Sequence, residues 1–439
     1  MTRQYAITGR SASDIATSVE RGVAGGDLRV GSLLPPVRAL AATLGVAPGT
    51  VAGAYGRLRD LGLVETGGRR GTRVRARPSV LPRSAAALPT PPGARDVSLG
   101  QPDPALLPRL DRHPQVLEGT RGYDLDRVEP GLASVARAAL DADGVPAGAV
   151  QVTGGALDGM ERVLGAWLRP GDRVAVEDPG WGNALDLLAA LDLDPVAMPV
   201  DGEGPTVAGL QTALAGGARA VLITSRAQNP TGAAITARRA TGLRAVLAAA
   251  PDVLVVEDDH CAELSAEPLH VVVGGTRRWA FLRSASKPYG PDLRLALLVA
   301  DPATAARVAG RQRLGAGWVS TVLQRLLLAL LTDPKTQRKV ARAAKTYDAR
   351  RTRLLAALAE RGVSASGRTG LNVWVPVGDE ASAAAQLLSR GWVPRLGSRS
   401  RLESPPGLRL TVAGLTPADV DALADAVAAA LAPTQATGA

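Results

Sequence analysis

Over the first sixty or so positions, apolar residues recur at the spacing of one helix face. From about residue 98 onward they come instead in short unbroken runs. In SDIATSVERGVAGG, Ser13 is the expected helix cap, Ile15, Val19 and Val23 follow at intervals of four, and Gly25-Gly26 ends the helix. LPPVRALAATLG places prolines at a helix start, Val37, Leu40, Ala41 and Leu44 on one face, and Gly45 at the stop. After a turn at Val46-Ala47-Pro48-Gly49, TVAGAYGRLRDLG aligns Val51, Ala54, Tyr55, Leu58 and Leu61 and closes at Gly62. LVETGGRRGTRVRAR then reads as two short strands around a Gly-Gly-Arg-Arg-Gly tip.

Three helices, the last two joined by a tight turn, followed by a basic hairpin predict a winged helix-turn-helix over residues 1–76. Charge sharpens that reading. Residues 1–83 hold thirteen arginines, no lysine and five acids, so a net +8 of the chain's +10 sits in its first fifth. Such asymmetry predicts a basic module for a polyanion attached to a near-neutral body. Residues 77–97 are proline-rich and aperiodic, and are expected to be an extended linker. Residues 431–439 form a tail.

The body, residues 98–430, alternates β-type runs (DRVAVED, PVAMPV, AVLIT, DVLVVED, WAFLRS, LALLVA) with Ala/Leu-rich helical stretches. That alternation predicts an α/β domain with a largely parallel sheet buried on both faces. At 439 residues, 46% hydrophobic and 21% charged, the chain has material for two to four packed domains. One cysteine, Cys261, excludes a disulfide framework and a multi-cysteine metal site, and three histidines leave no histidine-built one, so no metal is expected. No apolar run reaches the ~18 residues of a membrane span, and MTRQYAITGR lacks a signal-peptide core, so a cytoplasmic protein away from membranes is expected.

In parallel sheets, ligands bind where loops leave the C-terminal strand ends, and those loops carry the unusual residues. Thr153-Gly154-Gly155-Ala156 precedes a helix, an arrangement that turns backbone N–H groups toward an anion. Trp181 follows a Pro-Gly turn, and Asn229 stands in Asn-Pro-Thr-Gly. VLVVEDDH presents Glu257, Asp258, Asp259 and His260; FLRSASKPYGPDLR presents Ser284, Ser286, Lys287 and Arg294. Together a planar aromatic, an anion cradle with a serine and an arginine, an asparagine, a strand-end carboxylate and one lysine suit a phosphorylated pyridine aldehyde.

The order and spacing of these motifs resemble the fold type I, aspartate-aminotransferase-like domain of pyridoxal-phosphate enzymes, with a small C-terminal α+β subdomain over about 335–430. The resemblance implies that Lys287 forms an aldimine with pyridoxal 5'-phosphate, Asp258 pairs with the ring nitrogen, Asn229 meets the ring oxygen and Trp181 stacks on the ring. It places Gly155, Ala156, Ser284 and Arg294 around the phosphate, Arg409 on a substrate carboxylate and Tyr123 at the phosphate of a partner subunit. Two positions depart from the pattern: Ala156-Leu157 replace polar side chains, and His260 stands where relatives carry tyrosine and is expected near the ring oxygen. The N-terminal segment resembles the GntR-type DNA-binding domain. By position, Arg38, Thr50 and Arg57 would face double-stranded DNA and Arg69, Arg70 and Gly71 would form the wing, although Ala47-Pro48-Gly49 stands where relatives carry polar residues.

This order of domains resembles the MocR subfamily of transcriptional regulators. That resemblance implies a homodimer in which the aminotransferase-like domain senses pyridoxal phosphate or an amino-compound effector and controls DNA binding. The alternative expectation is a working aminotransferase with an accessory N-terminal module. The +8 module and the altered Ala156 and His260 favour the regulator.

Overall fold

The computed structural model describes residues 5–24, 27–29, 31–60, 63–66, 71–74, 88, 90–118, 122–123 and 127–432. The chain divides into a small unit dominated by its N-terminal part and a larger unit holding most of the remainder. Among the described residues no single helix is long and apolar enough to cross a membrane.

In the N-terminal unit, α1 (Ala12–Ala24), α2 (Val37–Leu44) and α3 (Pro48–Asp60) precede a hairpin of β1 (Val64–Thr66) and β2 (Thr72–Val74). The expected apolar face is the buried one: Ile15, Val19, Leu40, Ala41, Val51, Ala54, Tyr55 and Leu58 share a core with Val64 and Val74. The Tyr55 hydroxyl donates to the Pro35 carbonyl at 2.7 Å, tying α3 to the entry of α2. The two helices bend by 119° across their turn, within the range of helix-turn-helix pairs. Val64 stands opposite Val74 in the antiparallel hairpin, and Leu33 bridges Arg73 on its other edge.

Two boundaries differ from expectation. The first cap is Ser11, not Ser13. The Asp14 N–H donates to Ser11 Oγ at 3.2 Å and the Ser11 N–H donates to Asp14 Oδ2 at 3.1 Å. Only Ser11 has an acid three residues on, the spacing such a reciprocal cap requires. The third helix starts at Pro48 rather than after Gly49, because a proline fits the first helical turn, where its missing N–H costs nothing.

The larger unit is built on an eight-stranded sheet of order β4-β11-β10-β9-β8-β5-β6-β7. Its strands are β4 (Gln151–Thr153), β5 (Arg173–Asp178), β6 (Asp194–Asp201), β7 (Gly204–Pro205), β8 (Ala220–Thr224), β9 (Leu254–Asp259), β10 (Arg278–Ser284) and β11 (Ala296–Ala300). β5, β8, β9 and β10 run parallel, whereas β11 is antiparallel to both β10 and β4. Strands β8, β9 and β11 are buried at every position, which is why they read as unbroken apolar runs. The surrounding helices are α4 (Pro130–Ala142), α5 (Ala156–Trp167), α6 (Gly182–Ala190), α7 (Val207–Ala215), α8 (Ala237–Ala248), α9 (Ser286–Tyr289), α10 (Pro302–Leu314), α11 (Thr321–Thr332) and the long α12 (Pro334–Glu360).

The C-terminal part forms a subdomain with its own core, including Leu354, Val373, Leu387, Leu410, Val420 and Leu423. Its sheet orders β12 (Asn372–Pro376), β15 (Gly407–Thr411) and β14 (Arg395–Leu396); α13 (Glu380–Ser389) and α14 (Pro417–Leu431) pack with it. The end of the expected linker belongs here: β3 (Arg95–Asp96) pairs in parallel with β13 (Trp392–Val393). The Thr411 N–H donates to the Val97 carbonyl, and the Gly100 N–H to Thr411 Oγ1.

The turn after β8 is stitched to this subdomain at Gly232, whose φ is +69°. A Cβ there would lie 2.9 Å from the Thr369 carbonyl oxygen and 3.1 Å from that of Asn372. Gly232→Ala should therefore lower stability by about 2 kcal/mol, from left-handed strain plus a backbone clash that cannot relax cheaply. A fall in the urea midpoint at unchanged slope is the expected result.

Candidate functional site

The C-terminal ends of β8, β9 and β10 and one face of the small sheet enclose a cavity of about 470 Å³. Its wall includes Ala156, Trp181, Asn229, Asp258, His260, Ser284, Lys287, Arg294 and Arg409. The fold thus brings together residues spread over more than 250 positions.

Strand alternation sorts the three consecutive acids of β9. Glu257 faces away from the cavity and accepts from the N–H groups of Val272 and Val273 and from the Ser225 hydroxyl. Asp259 lies on the same side as Glu257 and binds both Arg226 and Arg283. Asp258 alone lines the cavity. Its Oδ2 lies 3.3 Å from His260 Nδ1, while its Oδ1 is buried without a partner. Burial opposes a charge on His260, but Cys261 and Asp258 outweigh it and raise the imidazole to about 10. An anionic Asp258 with one open lone-pair site can accept an N–H from a ligand.

Lys287 stands in the one-turn helix α9, directly after β10. Its Nζ donates to the Gly100 carbonyl. Burial lowers its pKa; Cys261 acts the other way, and the charge of Arg409 reinforces the fall. A lysine so depressed presents more neutral amine, the nucleophilic form that attacks a carbonyl carbon.

Arg409, on β15, is buried. Its Nη1 donates to Asn229 Oδ1 at 3.0 Å, its Nη2 to the Ser98 carbonyl, and its Nε has no partner. Burial, and after it repulsion from Arg395, push this guanidinium down to about 9 despite Asp96. Because Arg409 takes the amide oxygen of Asn229, the Asn229 NH₂ is the group left for a ligand oxygen.

At the other end, Gly155 has φ +107° and lies so close to Arg294 that a Cβ would meet Nη2 at 2.8 Å. Arg294 itself adopts φ +44°, unusual for a side-chain-bearing residue. One expected donor is already used: the Gly154 N–H donates to Asp158 Oδ2 at 2.8 Å, since that carboxylate caps α5. The N–H groups of Gly155 and Ala156 remain for an anion. Ser284 Oγ accepts from the Ser286 N–H at 3.2 Å and keeps its own proton to donate.

Tyr123 is not in this cavity. It is 93% exposed and packs edge-on against Trp318, with ring centroids 5.8 Å apart. In the N-terminal unit Arg38 and Arg57 are exposed and Thr50 is half-buried at the start of α3. Arg57 Nη1 also donates to Ser13 Oγ at 3.3 Å. Gly71 adopts φ +80°, while Arg69 and Arg70 lie outside the described residues.

Ser286, singled out beside Lys287 in the sequence, is on the wall as well, whereas sequence reading missed Thr224, Asn183, Asn372 and Arg395. These four sit on segments whose approach depends on tertiary folding.

Two deeper carboxylates hold the loops in place. Glu177 accepts from the Thr224 N–H and hydroxyl and from Gln228. Asp178 accepts from the N–H groups of Leu402, Glu403 and Ser404 and from the Ser404 hydroxyl, anchoring the small subdomain beside Trp181.

Residues 132–427 match the aminotransferase class I and II family, and residues 11–74 match the gntR family of bacterial regulatory proteins. Among solved structures, kynurenine aminotransferase of Pyrococcus horikoshii has a TM-score of 0.69 at 21% identity, covering 76% of this chain and 91% of its own. An aminotransferase from Mycobacterium tuberculosis also scores 0.69 at 21% identity, covering 82% of this chain and 99% of its own. Fold and site therefore define a fold type I, aminotransferase-like domain joined to a GntR-type helix-turn-helix domain. The chain is 41% identical over 423 residues to the vitamin B6 salvage pathway transcriptional repressor PtsJ of Salmonella typhimurium, covering 95% of this chain and 98% of that protein. It is 31% identical over 395 residues to the HTH-type transcriptional regulator TauR of Rhodobacter capsulatus, covering 80% of each. The chain belongs to the MocR family of GntR-type transcriptional regulators.

Burial raises Glu177 from 4.5 to about 7 against the hydrogen bonds from Thr224 and Gln228, with Asp258 adding repulsion. A carboxyl raised on folding gives its full stability below pH 4.5 and loses it as pH rises to about 7, an interval worth roughly 3 kcal/mol. Glu177→Gln should flatten that part of the stability–pH curve relative to the unmodified chain, as measured by urea denaturation between pH 4.5 and 8.

Proposed function

We propose that this regulator holds pyridoxal 5'-phosphate on Lys287 and that occupancy of the cavity, by the cofactor alone or with an amino compound, controls its binding to double-stranded DNA. The observation that carries the reading is the pairing of a half-buried lysine of lowered pKa with the buried, half-unpartnered carboxylate of Asp258 in one cavity. The residues fit the group. Asp258 Oδ1 suits a protonated ring nitrogen, the Asn229 amide suits the ring oxygen, and Trp181 supplies a flat wall. Gly155, Ala156, Ser284 and Arg294 suit the phosphate. His260 steadies Asp258 through Nδ1. When bound, the cofactor supplies a reactive aldehyde and an electron-withdrawing ring; the chain supplies the amine, the counter-charges and the shelter from water. Tyr123, exposed here, would serve the partner's cavity in a homodimer.

For DNA, the exposed Arg38 and Arg57, Thr50 at the head of α3, and the wing residues Arg69, Arg70 and Gly71 supply the contacts. Their positive charge displaces condensed counterions from the phosphates, so binding should weaken steeply with salt.

Two outcomes test the reading. Purified protein should develop visible absorbance with pyridoxal phosphate, and Lys287→Ala should abolish it while circular dichroism stays unchanged. A band that survives would remove Lys287 from the role. Arg38→Ala and Arg57→Ala should each weaken binding to duplexes of any sequence and lower the slope of log affinity against log salt by ~1. Gel-shift titrations at several salt concentrations, with and without pyridoxal phosphate, read both effects.

A further inference from the structure

The charges around the cavity do not balance. Among the described residues its wall holds five cationic side chains, Lys287, Arg294, Arg395, Arg409 and the raised imidazole of His260, against the single carboxylate of Asp258. His260 is set against Asp258, 3.3 Å from its Oδ2. If pyridoxal phosphate occupies the site as proposed, Lys287 is consumed by attachment, Asp258 faces the ring nitrogen, and Arg294 with the start of α5 faces the phosphate. Arg409 and Arg395 are left over.

These two arginines are directly opposite each other on adjacent antiparallel strands, β15 and β14. Side chains so paired share one face of the sheet, and like charges there destabilise it. Among the described residues neither guanidinium has a carboxylate partner. Arg409 is 7% exposed, with Nε unpartnered, and donates only to the neutral oxygens of Asn229 and Ser98. Arg395 is half-buried and makes no hydrogen bond or ion pair with any of the described residues. Burial, and after it the charge of Arg399, work against its own charge, with Asp186 and Asp96 opposing them less strongly. An isolated cation in such a place is costly unless an anion joins it, and one amino-acid carboxylate neutralises only one of the two.

We infer that the cavity is built for an amino compound with two carboxylates, and that Arg395 is the residue that selects the second. Arg409 takes the carboxylate next to the amino group; Arg395, one strand further out on the same face, takes the side-chain carboxylate of an aspartate- or glutamate-like ligand. The inference rests on the cofactor reading of Lys287, and the following experiment separates the two.

Full-length protein loaded with pyridoxal phosphate is titrated with L-aspartate, L-glutamate, L-asparagine, L-glutamine and L-alanine. Binding is followed by the change in cofactor absorbance and by calorimetry. The acidic member of each isosteric pair should bind about 10-fold more tightly or better, the ratio one charge-assisted hydrogen bond provides. Arg395→Gln should erase that ratio, and Arg395→Lys should retain part of it. Normal cofactor absorbance with equal affinities for the acidic and amide ligands overturns the inference alone, whether or not any variant folds. Preference that survives in Arg395→Gln overturns the assignment to Arg395. Absence of Lys287-dependent absorbance overturns the cofactor reading, and this inference with it.

Discussion

A buried carboxylate that the chain itself satisfies only in part is the constraint from which the larger unit can be understood. Asp258 sits at the end of β9 with one oxygen near His260 and the other unpartnered, a state that costs free energy unless the surroundings hold it rigidly. Its neighbours on the strand and on β8 are well bonded. On the opposite face of the strand, Glu257 accepts three hydrogen bonds and Asp259 is held by two arginines. Beneath the neighbouring loop, Glu177 grips Thr224, the residue in register with Asp258 on β8. Bonded neighbours of this kind hold a partly satisfied group in place and keep it from relaxing into a better-bonded arrangement.

The small subdomain depends on the same arrangement. Its 402–404 segment is pinned to Asp178 at the end of β5, and its strand β15 carries Arg409 into the cavity. Asp258 and Lys287 on one side and Arg409 and Arg395 on the other thus come from different layers of the fold. Neither layer forms the pocket alone. The N-terminal unit, by contrast, closes on its own core of Ile15, Leu40, Val51, Leu58 and Val74, and needs none of these contacts to bury its apolar face.

Much of this was legible in the sequence, for identifiable reasons. Central strands buried on both faces leave continuous apolar runs, so β5, β8, β9, β10 and the antiparallel β11 fall within a residue or two of the expected segments. Chemistry concentrated at strand ends made Asp258, Ser284 and Lys287 visible. What stayed hidden depends on distance along the chain. The acceptor role of Asp178 links residues more than 220 positions apart. Arg395 looks like any other surface arginine until strand register sets it against Arg409. The first cap was misplaced because Ser11 and Ser13 are equally good caps by type, and only the acid at Asp14 distinguishes them.

The hydrogen bonds of Lys287 to the Gly100 carbonyl and of Arg409 to the Ser98 carbonyl carry a mechanical consequence. Both acceptors lie on the stretch of chain that emerges from the N-terminal unit and is woven into the small subdomain at Arg95–Asp96. An amine that bonds to a ligand's carbon surrenders hydrogens it was donating, and a guanidinium that turns toward a carboxylate slackens its hold on a neutral oxygen. A ligand that engaged both groups would therefore compete with the protein's own backbone for the same two side chains. The two carbonyls in question, of Ser98 and Gly100, lie a few residues past the Arg95–Asp96 strand, so the edge of the small subdomain and the cavity share one pair of hydrogen-bond donors.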